Sequence, residues 1–390
     1  MKRSTSRILT THTGSLPRPD DLAQMVYEGA EGRPVDQARF MARAAEAVKD
    51  AVRKQATAGI DIVSDGEMSK VGFANYVKDR MTGFSGADKP FLALDLMEYP
   101  ETASSLGAMP GIPHMRTPAC TGPIAYTGQA AVAQDITNLR AALAEVQVED
   151  AFVPAVSPGT VVQITDNQFY PTREEFLVAV ADALHEEYIA IIEGGFDLQV
   201  DACDLAMEGH ISYANKSLDE FRGYLRHQVD AINRATRDIP TGRIRLHLCW
   251  GNYPGTHHRD RELKDLIDLV VQVRAGAFTF EAANPRHAHE WKVWRDVDLP
   301  TDTMLMPGVI DTCTNYIEHP EVVADRIARF ASVVGPERVI ASTDCGFGTF
   351  VGVSAVAPRV AYAKLTALSE GAALASKQLF NLVATVSAAR

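Results

Sequence analysis

Three features predict that this chain folds as one α/β domain over residues 1–390, a TIM-type (β/α)8 barrel. Strand-like and helical runs alternate along almost the whole length, the pattern that builds a parallel sheet covered by helices. The alternation repeats about every 30 residues, the size of one strand-helix unit of such a barrel. Reactive side chains stand at the ends of several of these strands, each followed within a few residues by Gly or Asn: His247 with Cys249, then Glu281, then Cys345. Barrels of this class gather their chemistry from different strand ends at one mouth.

Composition narrows the class of partner. With 46% hydrophobic and 23% charged residues in 390, the chain has ample material for a large core and no disorder signature. A net charge of -12 argues against a nucleic-acid or anionic-membrane surface, which needs clustered Lys and Arg, and in favour of small molecules. Five Cys is an odd number, unlike a disulfide framework, and suits a reducing cytoplasm. The first ten residues carry positive charge without an apolar stretch, so no signal peptide is expected, and no uncharged apolar run is long enough to span a membrane.

The elements follow in order. Residues 7–12 read as a strand that stops at Gly14-Ser15 and is turned by Pro17 and Pro19, which by itself makes Ser15 a turn or capping hydroxyl. An Ala-rich helix over 36–58 is closed by Gly59. The strand over 60–65 ends in Asp65 and Glu67; carboxylates are poor core material, so Glu67 is a candidate functional acid, its rival a loop-capping role. From about 82 to 120, scattered Gly and Pro mark an insertion expected to fold over the mouth as a lid. A strand over 118–125 and a helix over 129–146 come next. The apolar run 151–156 makes nine strand-like segments for eight barrel places; Pro154 demotes it, so it is expected outside the ring. A helix over 173–193 then leads to the alternating strand 197–202, with Asp201 at its end. The rest repeats the rhythm: helix 216–237, strand 243–249, helix 260–274, strand 276–281, helix 285–295, strand 303–310, helix 320–333, strand 338–343 and helix 356–378.

A strand directs residues i and i+2 to one face, so the imidazole of His247 and the thiol of Cys249 project together. Imidazole and thiolate suit zinc, which takes four N, S or O ligands. Glu281 lies 32 residues after Cys249, one unit on, and Cys345 a further 64, two units on. Strand ends spaced in this way converge around the barrel axis, so His247, Cys249, Glu281 and Cys345 form a candidate tetrahedral set. Cys120, Cys203 and Cys313 read as core.

These residues assembled, the chain resembles the cobalamin-independent methionine synthase family, in particular its catalytic C-terminal barrel, the methyltetrahydropteroylglutamate–homocysteine methyltransferase type. The resemblance runs from Thr11 to about Gly348. It rests on Thr13-Gly-Ser-Leu-Pro-Arg18, Asp65-Gly-Glu67, Thr121-Gly-Pro-Ile124, Leu198-Gln-Val-Asp201, His247-Leu-Cys249, Thr279-Phe-Glu281, Pro307-Gly-Val-Ile-Asp311 and Asp344-Cys-Gly346, in the family's order. It implies zinc on His247, Cys249, Glu281 and Cys345, with Glu281 yielding its place to the substrate sulfur. It also implies that Gly14 and Ser15 hold the carboxylate of homocysteine and that Glu67 and Asp201 hold its ammonium. The implied donor is methyltetrahydrofolate. This chain departs from the family in lacking the N-terminal half that helps hold the folate tail, and in carrying Cys313 where the family has a His that protonates the departing folate nitrogen. Single-barrel relatives include epoxyalkane:coenzyme M transferases, an alternative with the same metal and another thiol. In a metal-free lyase resembling uroporphyrinogen decarboxylase, His247, Cys249 and Cys345 would be core.

Overall fold

The computed structural model describes residues 1–86, 94–102, 118–352 and 354–388. Eight strands form a parallel ring: β1 (Leu9–Thr10), β2 (Ile62–Val63), β3 (Asp150–Val156), β4 (Asp197–Asp201), β5 (Ile244–Leu248), β6 (Ala277–Phe280), β7 (Met304–Ile310) and β8 (Ile340–Thr343). Each pairs with the next from β2 to β8, and β8 pairs with β1. At the remaining seam, Asp61 N donates to Thr10 O at 3.2 Å and Thr11 Oγ1 to Ile62 O at 3.0 Å, which nearly closes the barrel.

Local chemistry explains the helices outside the ring. Gln37–Thr57 starts where the Asp36 side chain accepts from Arg39 N, and buries Ala44, Ala47, Val48, Ala51 and Val52 on one face. Arg173–Glu193 is capped by Thr172, and Leu218–Ala235 by a reciprocal box of Ser217 and Glu220. Pro320–Val334 places proline in its first turn, where no donor is missed. Inside the ring, Leu9, Ile62, Phe152, Ala277, Met304, Met306 and Ile340 pack into a floor. Above it lies Arg245, buried, donating to Thr11 Oγ1 and His12 O at 3.0 Å each with its guanidinium 4.0 Å from the Phe152 ring centre. Among the described residues, no helix is long and apolar enough to cross a membrane.

Two expectations are corrected. The run 151–156 belongs to the ring as β3, between β2 and β4, despite Pro154. Parallel strands point the N–H and C=O of one residue to the same side and alternate sides along the chain. Ser157 N donates toward β4, to Asp201 O at 2.9 Å, so Pro154 and Val156 face the other way. On that side β2 has already ended, having paired only with Asp150 and Ala151. The carbonyl of Pro154 takes Lys70 Nζ at 2.6 Å instead, and the missing N–H breaks no ladder bond. The segment outside the ring is the one near 118–125: Pro118–Cys120 joins a separate small sheet with Phe84–Gly86 and Asp166–Asn167. The second correction concerns the helices expected over 260–274 and 285–295, which shrink to Ile267–Val270 and the short 3-10 segments Leu263–Asp265 and Glu290–Arg295. Those two units spend their residues on the long loops after β5 and β6. Of the expected insertion, residues 87–93 and 103–117 lie outside the described residues; the short helix Leu94–Glu98 meets the loop after β5, where Tyr253 Oη and His257 N donate to Asp95 at 2.9 Å.

Candidate metal centre and substrate pocket

Strand register brings the candidates together. Asp201 lies beside His247, His247 beside Thr279 and Leu248 beside Phe280, so the ends of β4, β5 and β6 present Asp201, His247, Cys249 and Glu281 side by side. Cys345 arrives two residues past the end of β8. Ligand atoms of His247, Cys249 and Cys345, all buried, lie within 4.8 Å of one another, the one such group among the described residues. Burial, then the charge of Arg245, pushes the His247 imidazole down to about 3, so it is neutral with a free lone pair. Its Nδ1 is buried without a hydrogen-bond partner. Burial raises the Cys345 thiol. A hydrogen bond from Cys203 pulls the Cys249 thiol down, but Cys345 and burial outweigh it. A neutral orphaned imidazole beside two desolvated thiols is a donor set that fits a divalent zinc ion.

The fourth predicted ligand stands aside. Glu281 Oε1 is 3.9 Å from Cys345 Sγ, yet it accepts Trp250 N at 2.7 Å, while Oε2 accepts Asn284 Nδ2 at 2.7 Å. Asp344, next to Cys345, holds the loop that follows: its Oδ1 accepts Ala282 N and Ala283 N at 2.8 Å each, and its Oδ2 accepts Asn284 N at 2.9 Å. The β6 and β8 loops are thereby tied by one carboxylate.

Asp201, beside His247 on the neighbouring strand end, and Glu67 form a pair of buried carboxylates. Gly14 has φ +133°, and a Cβ there would come within 3.0 Å of Glu67 Oε1. Glu67 is itself left-handed, with φ 59°, and is held by its N–H to Asp65 Oδ1 at 2.9 Å. Burial lifts the Glu67 carboxyl to about 7 against the pull of Lys70 and Arg18, and Oε2 has no hydrogen-bond partner. Burial, then the charge of Glu67, also raises Asp201 well above the usual carboxylate range; its Oδ1 accepts Gln199 Nε2 at 2.7 Å. Ser15 joins two loops. Its carbonyl accepts Phe347 N at 2.7 Å and its Oγ accepts Gly348 N at 3.4 Å, tying the Gly14-Ser15 loop to the loop of Cys345. A Cβ at Gly346 would lie 2.0 Å from that Oγ.

Of the three cysteines read as core, Cys120 is core. Cys203 is buried but packs with Met207, Cys249 and Cys345 at the metal centre. Cys313 is only half-buried and donates to Asn252 Oδ1 at 3.2 Å, because its loop leaves the end of β7 at the mouth and not between helix and strand. Sequence reasoning also missed Asn252, whose Nδ2 donates to Gly346 O and Thr349 Oγ1 at 2.7 Å each. It missed a buried cluster in which His257 and His287 share Asp260. The polar density of Asn284-Pro-Arg-His-Ala-His-Glu290 after a strand end was the available signal.

Comparison with known proteins places the chain in a family. The family described as "Cobalamin-independent synthase, Catalytic domain" matches residues 113–364. The methionine synthase of Thermococcus kodakarensis is 26% identical over 392 residues, covering 95% of this chain and 94% of its own. That of Pyrococcus furiosus is 25% identical over 389 residues, covering 95% and 93%. A solved B12-independent methionine synthase from Shewanella sp. W3-18-1, in complex with selenomethionine, shares the fold at a TM-score of 0.74 and 20% identity, over 96% of this chain and 99% of that one. With its barrel and the matched segment covering most of the ring, the chain belongs to the family of cobalamin-independent synthase catalytic domains, methyltransferases of the methionine synthase type.

Proposed function

We propose that this protein transfers a methyl group to the thiol of homocysteine at a zinc ion held by His247, Cys249 and Cys345, with Glu281 as an exchangeable fourth ligand. The convergence of three buried donors carries this reading, and the unpartnered Nδ1 of the buried His247 imidazole is consistent with it. Bound zinc would act as a Lewis acid that keeps a ligating thiol in its thiolate form at neutral pH. The chain's own residues do the rest. Glu67 and Asp201 are two buried carboxylates in each other's field, with an unsatisfied oxygen on Glu67; an ammonium group between them would relieve both. Coenzyme M has a sulfonate and no amine, so the pair disfavours it to the extent that the Lys70 ammonium, which acts on both carboxyls, leaves their charge uncompensated. Gly14, packed against Glu67, leaves room for the amino-acid end of the acceptor.

The donor in this reading is a methylated folate, and Cys313 makes it a slow one. Burial raises the Cys313 thiol well above its ordinary value, so it is a poor acid for a departing nitrogen. Positioned general acids contribute about 10²–10⁴-fold. Metal analysis of protein purified without chelator, paired with methionine formation from homocysteine, tests the proposal. The expected result is about one zinc per chain, by the usual stoichiometry of such sites, with loss of both metal and turnover in Cys249→Ser and Cys345→Ser. A metal-free active protein, or full zinc in either variant, refutes it.

A further inference from the structure

The carboxylate of Glu281 rests in a ready-made cradle. Both its oxygens are satisfied at 2.7 Å, one by the backbone N–H of Trp250 and the other by Asn284 Nδ2. The cradle is rigid on both sides. Trp250 is fixed by its indole N–H, which donates to Arg261 O at 2.7 Å, and by stacking on His287 at 3.9 Å between ring centres. Asn284 cannot turn, since its Oδ1 accepts Arg286 N at 3.1 Å and His287 N at 3.0 Å, and its own N–H is held by Asp344 at 2.9 Å. From this seat Oε1 is 3.9 Å from Cys345 Sγ, so a small side-chain rotation separates cradle from metal centre.

We propose that Asn284 is a positioning residue that sets how readily Glu281 yields its place to the acceptor thiol. The cradle gives the departing carboxylate two hydrogen bonds in exchange for the metal. Leaving it without them would bury an unpaired charge. Asn284 thereby tunes thiol affinity without touching the thiol. The inference rests on the zinc reading of the same site.

The test uses the full-length protein loaded with Co²⁺ and titrated with homocysteine, following the sulfur-to-cobalt absorption band; affinity for Co²⁺ is measured separately by competition with a chelator. Asn284→Ala is the primary variant. Asn284→Asp is the second: its oxygen can still accept from Arg286 and His287, while the donor shared by Glu281 and, at 3.3 Å, by Asp344 becomes a repelling charge. Loss of one charge-assisted hydrogen bond should raise the homocysteine concentration for half-saturation about tenfold in Asn284→Ala, and more in Asn284→Asp. Metal affinity should hold or rise, since Glu281 is driven onto the metal. A merely structural asparagine would lower metal and thiol affinity together, and that outcome overturns the proposal, as does a thiol titration superimposable on the wild type. A wild type that binds no metal overturns the zinc reading and the role of Asn284 with it. A wild type normal in both affinities with unaffected variants overturns the role of Asn284 alone.

Discussion

The buried histidine cluster on the loops after β5 and β6 makes a quantitative prediction about stability. His257 Nδ1 donates to Asp260 Oδ2 at 2.9 Å, and His287 reaches the same oxygen through Nε2 at 3.1 Å and Glu290 through Nδ1 at 2.7 Å. His287, Asp260 and Glu290 are almost wholly buried. Burial lowers both imidazoles, but Asp260, joined by Glu290 for His287, outweighs it, pushing His257 up to about 9 and His287 up to about 10. Burial would raise Asp260, yet its two imidazole partners hold it down to about 2. Both folded-state imidazoles titrate above the ordinary histidine value of about 6.5. Their contribution is therefore complete below that value and is lost as pH rises through 9 and 10. Between pH 7.5 and 8.5 the unfolded chain has released both protons and the folded one keeps them. Each group then costs about 1.4 kcal/mol of stability per pH unit, about 3 kcal/mol for the pair. The low value for Asp260 matters only in acid, where its contribution is lost as pH falls toward 2. His287→Gln removes one of the two protons and should lower the slope between pH 7.5 and 8.5 by about 1.4 kcal/mol per pH unit. Urea unfolding at pH 6.5, 7.5 and 8.5 measures it. A flat wild-type profile across this range, or an undiminished slope in His287→Gln, refutes the assignment of charge.

Two further outcomes are expected. Gly346→Ala places a methyl group 2.0 Å from Ser15 Oγ, which should cost about 1–3 kcal/mol and loosen the metal through Cys345; adding Ser15→Ala should recover part of both losses, read by thermal melts and metal content. Methionine formation from methyltetrahydrofolate should be weak in the wild type and rise in Cys313→His, which supplies a proton donor beside Asn252; fast wild-type turnover that falls on substitution would show that the acid lies elsewhere.

The parts of the site legible in the sequence are those carried by strand ends. His247, Cys249, Glu281 and Cys345 recur at whole multiples of the barrel unit, and register does the rest, since Asp201, His247 and Thr279 are neighbours across β4, β5 and β6. Pro154 misled because a general rule about missing donors says nothing about which side of a strand goes unpaired; only the early end of β2 decides that. The supporting residues have no such rhythm. Asn252, Asp260, Asn284, His287 and Asp344 sit in loops, and each has at least one partner from 26 to 97 positions away. They are also what distinguishes a site from a set of donors. Three ligand atoms within 4.8 Å of one another can hold a cation, and in the function proposed above the neighbouring carboxylate could exchange because Trp250 and Asn284 already satisfy both its oxygens. Strand ends bring the donors together; under the proposed exchange, the loops between them would determine whether Glu281 can leave.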